Sequence, residues 1–203
     1  MKPSRLAARL LLPLLLATGL LLAGCGHKAP PPWQLTSIRG HMPDLAFKLT
    51  DDTGKTVTAA DFKGKVVLLY FGYTHCPDIC PLTMAHLHQV MQKLGKQAAD
   101  VRILFVTVDP ARDTPQVLHD YVHAFDSHAI GLTGSPGDIE TVVKRYRASF
   151  TRIPDKHDSG YEVSHSSGIY IFDRSGRARL LATPANTQGQ LVHDLSLLIG
   201  SGQ

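Results

Sequence analysis

The sequence predicts an α/β domain with a mixed central β-sheet flanked by helices and a β-hairpin extension on its N-terminal side. Three observations carry this. Val66 to Phe71 is a short, unbroken apolar run rich in β-branched and aromatic residues, the pattern of a strand buried on both faces, and Val101 to Val108 (VRILFVTV) reads as a second buried strand. Segments of helical periodicity separate the strand-like runs, so neighbouring strands run parallel under covering helices. Near the C-terminus the order changes: Ile169 to Asp173 and Ala178 to Ala182 flank the turn Arg174-Ser175-Gly176-Arg177, an antiparallel hairpin, before a final amphipathic helix.

Taken in order, the chain begins with a targeting segment. Lys2, Arg5 and Arg9 precede an apolar stretch from Leu10 to Leu22, too short and broken for a membrane span. Leu22-Ala23-Gly24-Cys25 then places small residues before a cysteine. Residues 1–24 read as a lipoprotein signal peptide and Cys25 as the lipidated N-terminus left after cleavage, with a plain secretory signal or an uncleaved anchor as the alternative. Either way the folded part faces an oxidising, extracytoplasmic space. The expected location is a bacterial cell envelope, with the domain lipid-anchored to a membrane. Residues 25–40, containing Pro30-Pro31-Pro32, form a semi-rigid tether in which Trp33 is free to pack back on the domain, and residues 41–203 form one domain.

The signal segment also accounts for the basic balance. The chain has 21 Lys+Arg against 17 Asp+Glu, and residues 1–24 hold three of the former and none of the latter, leaving 18 against 17. A nearly neutral domain without a basic patch interleaved with aromatics argues against a nucleic-acid partner.

Within the domain, Leu45 to Leu49 and Thr56 to Thr58 flank the turn Asp51-Asp52-Thr53-Gly54 and predict the leading hairpin. After the central strand, Gly72 to Thr74 break the run. Cys76 and Cys80 follow, each before a proline, which places both outside the helix, with Pro81 at its first position and Cys80 near its N-cap. Met84, Leu87, Met91 and Leu94 carry the helix to Gly95. Thr114-Pro115 opens a second helix to Phe125; Ala129 to Leu132 is a short segment; Asp138 to Phe150 is helical; residues 151–160 are a polar loop; Gln188 to Ile199 is the last helix. A strand leading to two cysteines at a helix start, with a hairpin and helix closing the chain, is the thioredoxin-like plan, with a wider cysteine spacing than thioredoxins have.

With Cys25 taken by lipid, Cys76 and Cys80 are the only thiols of the domain. A structural disulfide is the bland reading, but it would close so short a loop that it restrains the unfolded chain little. A helix N-terminus favours thiolate and lowers the thiol pKa, which suits a reactive or ligating pair. Two thiolates under-coordinate a metal, so a third ligand is needed. Eleven histidines are available and spacing alone does not choose among them. His75 points away if its segment is extended, His86 and His88 do not face one another, and His119 and His123, four apart on a helix, either pair on a metal or line a solvated face. His165, in Val163-Ser164-His165-Ser166, lies at the strand junction that in a thioredoxin-like plan faces the cysteine loop. Its alternative is a surface-loop histidine. Two thiolates and an imidazole suit Cu(I) and can also hold Cu(II) or Zn(II).

These segments resemble the Sco (synthesis of cytochrome c oxidase) family of copper-binding assembly proteins over roughly residues 41–200. Phe71-Gly72-Tyr73-Thr74-His75-Cys76-Pro77-Asp78-Ile79-Cys80-Pro81 is similar to that family's cysteine motif, Val108-Asp109-Pro110-Ala111-Arg112-Asp113-Thr114-Pro115 to its second signature, and Val163 to Ser166 to its histidine segment. The resemblance implies a membrane-tethered domain that binds one copper, Cu(I) or Cu(II), through Cys76, Cys80 and His165, and helps build the binuclear copper centre of cytochrome c oxidase. The oxidase's copper-bearing subunit is then the partner, and the copper donor stays unassigned. Many relatives carry an acidic residue before the histidine; Ser164 here raises the expectation of weaker copper binding. Asp78 and Asp109 are candidates to support the ligands, with turn and strand-end roles as alternatives. An alternative function is a thiol-disulfide reductase that keeps the oxidase's copper-ligand cysteines reduced. There an exposed Cys76 attacks, Cys80 resolves, the pair cycles through a disulfide, and His165 is nearly dispensable. A copper or redox sensor is a third reading. No peroxide-activating threonine and arginine surround the cysteines.

Overall fold

The computed structural model describes residues 33–154 and 160–200. The proposed signal peptide, Cys25 and the tether as far as Pro32 lie outside the described residues. From Trp33 on, the chain already belongs to the domain. Thr36–Ser37 forms a short edge strand, β1, and Trp33 packs against the core under the Arg179 guanidinium. The expected semi-rigid tether to residue 40 is shortened accordingly: residues 33–40 are part of the domain, where Thr36 and Ser37 pair with the last strand.

An eight-stranded sheet runs in the order β1-β10-β9-β4-β5-β6-β2-β3. Its centre is β4 (Val66–Gly72), parallel to β5 (Val101–Thr107), which is parallel to β6 (Ala129–Thr133). On the other side β9 (Ile169–Phe172) is antiparallel to β4 and pairs with β10 (Ala178–Ala182). The leading hairpin, β2 (Lys48–Asp51) and β3 (Thr56–Thr58), joins through β2 to β6. This is the mixed, thioredoxin-like sheet that the sequence predicts.

Every residue of β4 is buried, as expected of a strand covered on both faces. Its alternation sorts the two layers. Tyr70 faces the cysteine helix α1 (Ile79–Leu94), and Phe71 packs on the opposite side against Tyr146 and Tyr170. Helix α1 buries Met84, Leu87, Val90, Met91 and Leu94, packs on the closing helix α4 (Gln188–Gly200), and ends at Gly95, whose φ of 56° suits a glycine. Helix α2 (Pro115–Phe125) starts as predicted, the Thr114 hydroxyl accepting the Val117 N–H.

Two expectations fail between residues 138 and 165. Helix α3 (Pro136–Arg145) stops five residues short of Phe150. Arg147 takes φ 53°, its N–H bonds to the Lys144 carbonyl and that of Ala148 to the Val143 carbonyl, a Schellman ending with arginine where glycine is usual. The supposed polar loop beyond it begins as a strand. β7 (Phe150–Pro154) pairs antiparallel with β8 (Tyr161–His165) in a separate two-stranded sheet, with Phe150 opposite His165.

Candidate metal centre

The cysteine loop enters α1 differently from the sequence reading. Asp78 is the N-cap, so Cys80 and Pro81 sit at the second and third helical positions. Proline is tolerated there because first-turn N–H groups have no helical partner to lose. Cys80 is fully buried and Cys76 nearly so, which corrects the expected exposure of the first thiol. Both are free thiols in this structure. The Cys80 N–H points at Cys76 Sγ across 3.5 Å, so the helix N-terminus does address the first sulfur. For Cys80 the predicted lowering is reversed. Burial pushes its thiol up to about 12, outweighing the hydrogen bonds from the Tyr73 backbone and the Tyr70 hydroxyl.

His165 closes the site. Its Nε2 lies 3.2 Å from Cys80 Sγ, and one ligand atom from each of Cys76, Cys80 and His165 lies within 4.8 Å of the others. Its Nδ1 donates to the Ser166 carbonyl at 3.0 Å, so in the neutral ring the Nε2 lone pair faces the sulfur. Burial keeps the imidazole below its ordinary pKa, against the pull of the Ser166 and Phe71 carbonyls. Tyr70 and Tyr73 flank the ring edge-on, at 6.1 and 5.8 Å between centroids. Gly72 is required by this packing: a Cβ there would come within 2.8 Å of Phe105 and 3.0 Å of Cys80 Sγ.

The segment after β5 holds these parts together. Asp113, wholly buried, accepts from the Thr74 and Thr107 hydroxyls at 2.6 Å each, and its carboxylate also takes the Thr74 N–H, which fixes the loop before Cys76. Asp109, also wholly buried, accepts the Tyr161 hydroxyl at 2.7 Å and pairs with Arg112 and Arg152. Arg112 lies over the Tyr161 ring and donates to the Tyr161 carbonyl. Tyr161 begins β8 and His165 ends it. The Tyr73 hydroxyl accepts the Val163 N–H between them. Asp109 is therefore a buried anchor for the strand that presents His165, more than the strand-end cap its sequence context suggests, and it does not touch the thiols. Asp78 is exposed and makes no side-chain cap bond. Tyr70, Tyr73 and Asp113 were not singled out from sequence; the available signal was the position of Tyr73 and Asp113 inside the two long motifs, and Tyr70 lies just before the first of them.

The other described histidines stand elsewhere. His75 is half-exposed beside Thr74, and His88 bonds to Asp126. His119 and His123 come together with Asp52 on a different surface. Ser164 is exposed, on the face of β8 opposite His165. A carboxylate at 164 would point to solvent, so the expectation that its absence weakens the site has no structural support.

A thioredoxin-like domain in which two buried thiols and a neutral imidazole converge is a soft-metal or dithiol site by its donor chemistry. The family model for SCO1/SenC matches residues 39–200, and the chain belongs to that family. It is 44% identical over 126 residues to Protein SCO1 homolog 1, mitochondrial, of Arabidopsis thaliana, covering 62% of this chain and 37% of that one. The chain spans 37 to 66% of the length of such curated relatives. Among solved structures, Bradyrhizobium japonicum ScoI with copper bound superposes with a TM-score of 0.70 at 40% identity, over 76% of this chain and 98% of that one. BsSco, a member of the Sco family of cytochrome c oxidase assembly proteins in which a disulfide switch was identified, superposes with a TM-score of 0.64 at 26% identity, over 82% and 99%.

Proposed function

We propose that this chain is a membrane-tethered copper carrier for assembly of the binuclear copper centre of cytochrome c oxidase. Cys76 and Cys80 supply thiolates, His165 supplies Nε2, and one copper is held per domain. The observation that carries the reading is His165 Nε2 lying 3.2 Å from Cys80 Sγ while Nδ1 lies 3.0 Å from the Ser166 carbonyl. A ring held in this way is oriented to ligate, and the kinship with copper-bound ScoI supports the choice of metal. A three-donor soft site favours Cu(I) and leaves room for an incoming thiolate, so transfer proceeds by ligand exchange. Lipid attached at Cys25 would hold the domain on a membrane in the envelope, facing the oxidase's copper-bearing subunit.

The second reading, a thiol-disulfide reductase, is favoured by the adjacent free thiols and by the disulfide switch of BsSco. In it Cys76 thiolate would attack a partner disulfide, and Cys80 would then displace the partner's thiol while closing the Cys76–Cys80 disulfide, two electrons passing to the partner. The experiment that separates them starts from the Cu(I)-loaded chain and the copper-free subunit domain. Carrier function requires that, after transfer and oxidation with a one-electron oxidant such as ferricyanide, the binuclear-centre absorption appear with the parent and not with His165→Ala. If His165→Ala supports centre formation from added copper as well as the parent, while still reducing the subunit's disulfide, the reductase reading replaces it.

A further inference from the structure

We propose a second metal site, separate from the cysteines, in which Asp52, His119 and His123 bind a borderline first-row divalent cation such as Zn2+ or Cu2+. His119 and His123 are one helical turn apart on α2, their rings 4.3 Å apart between centroids. Asp52, in the turn between β2 and β3, is 7% exposed and aims Oδ2 at both rings, 3.5 Å from His123 Nε2 and 4.0 Å from His119 Nδ1. One ligand atom from each residue lies within 4.8 Å of the others.

These distances are too long for hydrogen bonds. The nearly dehydrated carboxylate oxygen takes the Gly131 N–H at 3.1 Å, and the two imidazole rings converge on it without closing a bond. A tetrahedral ion with bonds of about 2.1 Å sets its ligands about 3.4 Å apart, so small rotations of two partly exposed imidazoles complete the set. The carboxylate is the fixed member. Gly131 makes this possible, because a Cβ there would lie 2.6 Å from Leu118 Cβ and 3.4 Å from Asp52 Cβ, forcing α2 away from the turn. A surface hollow lined by Asp52, Thr53, Gly54, Thr114, Pro115 and His119 gives an ion access. Two imidazoles and a carboxylate select divalent Zn, Cu or Ni over Cu(I), the reverse of the cysteine site, and leave a coordination position for water. The ion would fasten the β2–β3 turn to α2.

The test uses the full chain without a metal-binding tag, carrying Cys76→Ser and Cys80→Ser so that the first site does not contribute. Isothermal titration with ZnCl2 should show one Zn2+ per chain and a zinc-dependent rise in Tm. His119→Ala/His123→Ala, on an exposed helix face, and Asp52→Asn, which keeps the acceptor for Gly131, should each weaken binding at least tenfold and abolish the Tm rise. Exposed His41→Ala should change neither. Binding undiminished in the double histidine variant, equal weakening by His41→Ala, or no saturable uptake by the parent would each overturn the site.

Discussion

Asp109→Asn tests whether the strand carrying His165 is positioned from its far end. The carboxylate is wholly buried and serves Tyr161 Oη at 2.7 Å, Arg152 at 3.4 Å and Arg112. Arg152 is nearly half exposed and its pair contributes little. The other two partners make charge-assisted hydrogen bonds to this buried carboxylate, each worth about 1.5–3 kcal/mol at most, since Arg112 and Tyr161 are themselves partly exposed. Asparagine retains one acceptor oxygen and turns an N–H2 toward existing donors, so the net cost is about 2–3 kcal/mol of global stability. The β7–β8 hairpin keeps its own ladder and the Val163 N–H to Tyr73 bond. If about 1–2 kcal/mol of the loss falls on docking of a hairpin that is only marginally docked without copper, the competent population and the copper affinity drop by up to about 5- to 30-fold. Anaerobic Cu(I) competition titration measures this, in parent and in His165→Ala. With the ligand already gone, Asp109→Asn should add less than about a twofold effect. Parent-like copper binding by a destabilised Asp109→Asn, or the same loss in both backgrounds, would refute positioning through the hairpin.

Four further outcomes follow from the same geometry. Gly72→Ala drives a methyl against Phe105 and Cys80 Sγ and should cost about 1–3 kcal/mol in denaturant unfolding while weakening copper binding. Ser164→Asp should leave affinity within about threefold of the parent, since position 164 faces solvent away from the ring. Because the Cys80 thiol titrates near 12 in the folded apo protein, copper must displace its proton, and apparent affinity should rise about tenfold per pH unit between pH 6 and 8 for that proton. The same raised pKa stabilises the apo fold fully below the ordinary thiol value of 9.0 and is lost as pH rises toward about 12; Cys80→Ala should flatten that decline in a pH series of unfolding midpoints.

The central sheet was legible because burial on both faces leaves a mostly apolar run, as at β4 and β5, and the start of α2 because threonine before proline is a local capping signal. Gly95 marked the end of α1 for the same kind of reason. What was illegible depended on long-range partners. Strands β7 and β8 are polar and lean on Tyr73, Asp109 and Arg112 rather than on their own apolar pattern. Arg147 performs a turn usually left to glycine, so no glycine marked the end of the helix read as far as Phe150. The two cysteines were found from their place at the strand-to-helix turn, whereas the choice of His165 among eleven histidines leaned on fold analogy. The direction of the Cys80 shift was misread because a helix N-terminus is visible in sequence and full burial of a side chain is not. The partnership of Asp52 with His119 and His123 joins a hairpin turn to a helix more than 60 residues on, and nothing local announces it.

The most direct test of the account is a Cu(I) titration of the reduced chain, with Cys25 replaced by serine, against a competing chelator. Cys76→Ala, Cys80→Ala and His165→Ala are run beside it. The expected result is one tightly held copper per chain, weakened at least tenfold, or about 1.4 kcal/mol, by each substitution. Parent-like affinity in His165→Ala, or feeble binding by the parent itself, would contradict a three-ligand copper site.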